Sequence, residues 1–205
     1  MLVAINDMSI TEHITPAFLR QHQDFIRNAA VIVVDCNISE AALAWLMENS
    51  GATPVFVDPV SAWKCVKISQ HLGRIHTLKP NRIEAETLSG IALSGTDDVA
   101  RVADWFHQRG LKRLVLSMGG DGVYYSEKEG ERGWSAPLKT QVVNVTGAGD
   151  AMMAGLACCW LDGCSFSQAV KFAQGCSSLA LSSEFTNNPE LSYANVKKVV
   201  EKEYV

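Results

Sequence analysis

The run Asn144-Val145-Thr146-Gly147-Ala148-Gly149-Asp150 holds the residues whose types and spacing speak most directly to chemistry. An apolar stretch ends there, small residues turn the chain, and a helix is predicted to begin with an acid in its first turn. Successive N–H groups of Gly147, Ala148 and Gly149 would converge on one place, and the helix dipole adds positive potential there. Glycine, with no side chain, lets an anion such as a phosphate approach the backbone closely. Asp150 would stand beside that anion hole as a carboxylate able to take a proton. The same residues also suit an ordinary helix start, where Gly and Asp are common. They are not a dinucleotide-binding fingerprint, because the glycine series is too short and lies late in the chain. Nor are they a Walker loop, for no Gly-Lys-Ser/Thr follows.

Two other clusters could assist. Ser117-Met118-Gly119-Gly120-Asp121-Gly122 follows a buried apolar run. A Gly-rich turn at the C-terminal end of such a strand lies where open α/β sheets bind ligands, although most such turns simply reverse the chain. In Lys79-Pro80-Asn81-Arg82-Ile83-Glu84, Asn81 would cap a helix and Glu84 would complete a capping box. A second reading makes Glu84 an outer-shell ligand that holds the waters of Mg²⁺ near phosphates. The cysteines Cys36, Cys65, Cys158, Cys159, Cys164 and Cys176 form no C-x-x-C pair and read as small buried thiols. The scattered histidines offer no metal cage with them.

The elements that must position these groups alternate along the chain. Short apolar, β-branched runs at 31–35, 54–58, 75–78, 113–117, 122–126 and 140–144 read as strands. A further strand is expected at 2–5. Helices are predicted over 40–49, 61–72, 81–88, 96–108, 149–161, 165–181 and 192–203. Ser39 and Thr96-Asp97-Asp98 would cap two of these, and Gly51, Gly90 and Gly110 would close three. Residues 119–133 look like a hairpin. Strand and helix in alternation imply crossover connections and an α/β fold, a three-layer, mostly parallel sheet with helices on both faces. No linker or repeat interrupts it, so one domain over 1–205 is expected.

Composition narrows the function class. The chain has 205 residues, 47% of them hydrophobic and 20% charged, enough for a sizeable core and against disorder. A net charge of −4 gives no basic field for nucleic acid or an anionic membrane. No apolar run reaches the ~20 residues of a membrane span. The opening residues lack the basic stretch of a signal peptide, so a cytoplasmic location is expected.

The order of motifs, N-x-x-E, then S-x-G-x-x-G, then T-G-A-G-D, resembles the ribokinase-like (PfkB) carbohydrate kinases along essentially the whole chain. The resemblance implies ATP-dependent phosphorylation of a ribosyl 5′-hydroxyl, with pseudouridine the expected acceptor, and ATP and Mg²⁺ as cofactors. It makes Asp150 the catalytic base, in contact with the substrate, and Gly147, Ala148 and Gly149 the anion hole. It places Ser117, Gly119 and Gly122 along the nucleotide and Asn81 near its phosphates. Glu84 would organise Mg²⁺ through water, and Asn37 would face the sugar.

Two departures stand out. The family signature begins with Asp where this chain has Asn144, a position that with Thr146 commonly helps bind a monovalent cation. An amide there weakens the expectation of K⁺ activation. The family domain also begins with a further segment, carrying a Gly-Gly sugar-binding motif and a β-lid, that this sequence does not contain; the chain is therefore read as the C-terminal two-thirds of such a domain. The expected partners are a small nucleoside or sugar and a second copy of the chain. A nucleotide-binding fragment without catalysis, or a kinase for another sugar or nucleoside, is the alternative. An NAD-dependent oxidoreductase would share the fold class. It would need glycines after the strand at 31–35, where Cys36-Asn37-Ile38-Ser39 stands instead.

Overall fold

Along each central strand the apolar side chains alternate between two cores. In β2 (Val55–Asp58), Val55 and Val57 join one hydrophobic cluster and Phe56 the other. In β4 (Arg113–Ser117), Leu114 and Leu116 join the first and Val115 the second. A sheet apolar on both faces needs a helical layer on each, and the computed structural model, which describes residues 7–204, has both. The first layer holds α3 (Glu40–Asn49), α4 (Ala62–Cys65) with the 3₁₀ stretch Val66–Arg74, α5 (Arg82–Ser89) and α6 (Thr96–Gln108). The second holds α7 (Ala148–Leu161) and α8 (Phe166–Leu181), against which α9 (Tyr193–Tyr204) packs. Phe106 is fully buried in the first layer. Its loss to Ala would cost about 3–5 kcal/mol.

The sheet has six strands in the order β1-β2-β3-β4-β5-β6. β1 (Ile32–Asp35), β2, β3 (Thr77–Leu78) and β4 run parallel, whereas β5 (Val123–Glu127) and β6 (Arg132–Ser135) continue it as an antiparallel hairpin. Among the described residues no helix is long and apolar enough to cross a membrane.

Most predicted elements form within a residue or two, with four differences. The sixth strand is 132–135, not 140–144: that segment is irregular and is tied to α8, with the N–H groups of Val143 and Asn144 both donating to the Leu181 carbonyl. Its valines stay largely exposed, Val142 at 59% and Val143 at 49%, so backbone hydrogen bonds and not apolar burial tie the segment to α8. The helix predicted over 61–72 is α only through Cys65 and then tightens to 3₁₀. Gly95, not Thr96, occupies the cap of α6, where the Asp98 carboxylate accepts the Ser94 and Gly95 N–H groups. Sequence reading also passed over the short helices α1 (Pro16–Gln21) and α2 (Gln23–Arg27), too short to show a period. The strand expected at 2–5 lies outside the described residues.

Candidate functional site

Parallel strands bring their C-terminal ends to one edge, where open α/β sheets bind ligands. Asp35 and Asp58 are register partners there at the ends of β1 and β2. Lys79 follows β3, and its ammonium lies 2.9 Å from Asp58 Oδ2. Ser117 ends β4, bridges to Asn81 and donates its N–H to the Pro80 carbonyl at 3.0 Å.

The start of α7 meets the same edge. Its N-cap is Gly147, in the left-handed region at φ +85°, and no side chain caps the helix. A methyl group on Gly147 would lie 2.4 Å from the Thr186 carbonyl oxygen, so both conformation and space require glycine. Uncapped helix starts present N–H donors and a positive dipole end to an anion. Gly149 has no positive φ; a methyl there would instead come within 3.3 Å of Lys79 Nζ. Solvent reaches Asp150, yet desolvation raises its carboxyl above the ordinary aspartate value. The charge of Asp58 raises it further, Lys79 opposes, and Asp35 adds a smaller push.

The start of α5 is treated oppositely. Asn81 Oδ1 accepts from Glu84 N at 2.9 Å, while Glu84 takes the Asn81 N–H at 2.9 Å and Nδ2 at 2.8 Å. Glu84 is 3% exposed, and burial raises its carboxyl against the pull of the Asn81 N–H. Each of its oxygens accepts one hydrogen bond from Asn81, and Glu84 itself does not line the neighbouring cleft, so any Mg²⁺ there would be reached only through water. Among the described residues no group of three His, Cys, Asp or Glu could cage a metal. An ion here would therefore draw its remaining ligands from water and phosphate.

Asn81, Ser117, Gly119, Gly122, Ala148 and Gly149 all line one cleft of about 1080 Å³. Its apolar wall includes Met118, Val142, Val145 and Leu181. Gly122, at φ +92°, also answers to the hairpin, because a methyl would meet the Ser135 carbonyl at 2.3 Å. Asn37 stands apart at the end of β1, its amide donating to Asp35 Oδ2 and accepting from Lys64. Asn144 Oδ1 accepts the Thr146 N–H at 3.0 Å, so the amide shapes the turn before Gly147.

Asp35, Asp58 and Lys79 were missed as site residues. The available signal was an acid ending each of two buried parallel strands, and a lysine just past the third.

Comparison with known proteins agrees in family and fold. Residues 3–192 match the model of the pfkB family of carbohydrate kinases. The chain is 71% identical over 201 residues to pseudouridine kinase of Escherichia coli, covering 98% of this chain and 64% of that protein. A carbohydrate kinase from Agrobacterium tumefaciens superposes with a TM-score of 0.81 at 26% identity, covering 98% of this chain and 64% of the other. A ribokinase from Arabidopsis thaliana, solved with ribose and ATP, superposes with a TM-score of 0.77 at 21% identity, over 88% of this chain and 59% of the other.

Proposed function

The chain belongs to the pfkB family of carbohydrate kinases, and from that premise we propose that it binds ATP in the cleft at the start of α7 and passes the γ-phosphoryl group to the 5′-hydroxyl of a ribosyl acceptor, pseudouridine. The observation that carries this reading is the uncapped helix start at Gly147, with Asp150 in its first turn and a nucleotide-sized cleft beside it. The identity to pseudouridine kinase supports the choice of acceptor.

Asp150 accepts the proton as the acceptor oxygen bonds to the γ-phosphorus and the bond to the β-phosphate oxygen breaks, releasing ADP. A carboxyl held above its ordinary value is a better base, and such a base contributes about 10²–10⁴-fold. The N–H groups at the start of α7 stabilise the charge on the phosphoryl group in flight. Asn81 and Ser117 face the nucleotide across the cleft, with Gly119 and Gly122 along it. Glu84 would hold Mg²⁺ through water, and the ion supplies charge neutralisation at the phosphates. Asn37, fixed by Asp35 and Lys64, faces the acceptor. Asn144 and Thr146 shape the turn with at most a weak K⁺ site. In this reading the protein works in the cytoplasm, on a small molecule and beside a second copy of itself.

The test is an assay with ATP, Mg²⁺ and a panel of pseudouridine, uridine, adenosine and ribose. Pseudouridine 5′-phosphate is the expected product. Binding of ATP with no acceptor phosphorylated would leave a nucleotide-binding protein instead.

A further inference from the structure

Lys79 is 5% exposed, an unusual place for an ammonium. Its partner Asp58 is nearly as enclosed, with side-chain exposures of 7% and 16% for the pair. A buried ion pair is weak evidence for stability, since apolar residues of like size often serve a core as well or better. The location of the ammonium is more telling. Lys79 lines the cleft, and its Nζ lies 3.3 Å from where a methyl on Gly149 would sit, against the first turn of α7.

The carboxylate beneath it is held from both sides. Asp58 Oδ2 takes Lys79, and Oδ1 accepts the Val60 N–H at 2.9 Å. Val60 has φ +69°, the one positive value at a non-glycine among the described residues. A β-branched side chain tolerates that region poorly, and such strain persists where the surroundings demand it, often at functional sites. Here the strained turn aims a backbone donor at the carboxylate that holds the lysine.

Charge supplies the third argument. Asp35, Asp58 and Asp150 all act on the same edge. Three carboxylates around the landing place of a polyphosphate would repel it, and Lys79 is the cation buried among them.

We propose that Lys79 is a phosphate-clamping residue. Its ammonium, oriented by Asp58 and the Val60 turn, contacts the terminal phosphoryl group of a nucleoside triphosphate bound at the start of α7. The inference rests on the nucleotide reading above and adds a side-chain cation to the backbone donors.

Calorimetry on the full chain with Mg²⁺ tests it, using adenylyl imidodiphosphate, a non-hydrolysable triphosphate, and adenosine. Lys79→Met should weaken the triphosphate by at least about tenfold, since hydrogen bonds to charged groups are among the strongest. Adenosine should change less than about twofold, which also reports a folded cleft. Lys79→Arg should recover most of the triphosphate affinity. Equal loss of both ligands in Lys79→Met, or wild-type affinity for the triphosphate, would overturn the proposal. A wild-type chain that binds neither ligand would overturn the nucleotide reading itself.

Discussion

Two helix starts meet at the same edge of the sheet and are finished in opposite ways. At α5 the capping box closes on itself, with Asn81 and Glu84 satisfying one another and Glu84 buried. At α7 no side chain caps, the N-cap is a glycine in the left-handed region, and Asp150 stays in reach of solvent. The capped start commits its first backbone donors to its own side chains, whereas the uncapped one keeps them for an anion.

The contrast can be broken most severely at Asp150. Asp150→Asn keeps size and shape but removes the base, so kcat should fall about 10²–10⁴-fold in a steady-state assay, with ATP affinity little changed. The acid limb of the wild-type pH profile should lie above the ordinary aspartate value of 3.8. Retention of more than a third of wild-type kcat would make α7 merely another helix start.

Gly147→Ala attacks the same start through its backbone. A left-handed alanine and a methyl 2.4 Å from the Thr186 carbonyl should cost about 1–3 kcal/mol and weaken nucleotide binding together. Denaturant melts and calorimetry read the two effects. Gly149→Ala has no strained φ to violate and should act mainly by crowding Lys79.

At the closed start the effects are smaller and fall on stability. Asn81→Ala removes the cap and should cost about 1 kcal/mol, a fall in Tm of about 2–4 °C. Glu84 sharpens the comparison through pH. Burial raises its folded value above 4.5, so its contribution is full below that pH and is lost as pH rises through the folded value. The Tm advantage of wild type over Glu84→Gln should therefore shrink as pH rises across that window. A constant or growing advantage would show that the carboxylate, not the acid, is the stabilising form.

The smallest effect is expected from K⁺. Asn144 offers a neutral carbonyl already turned to the Thr146 N–H, so replacing a bulky organic cation with K⁺ should raise activity by less than about tenfold.

Much of the fold is legible in the sequence. β-branched apolar runs announced the parallel strands, because a strand buried on both faces must be apolar throughout. Ser39, Asn81 and Gly90 marked helix ends because their chemistry is local. The strand expected at 140–144 failed because an apolar run does not by itself guarantee burial: Val142 and Val143 stay exposed, and it is the segment's backbone that is tied to α8.

The site divides along the same line. Sequence by itself determined the Gly147–Asp150 helix start and the Asn81–Glu84 cap, since each is a few consecutive residues whose hydrogen bonding is set within the run. Only the tertiary structure decided that Asp35, Asp58 and Lys79 join them. Those residues end separate strands, and their proximity comes from strand order and register, which pair distant segments through backbone hydrogen bonds that no local pattern encodes.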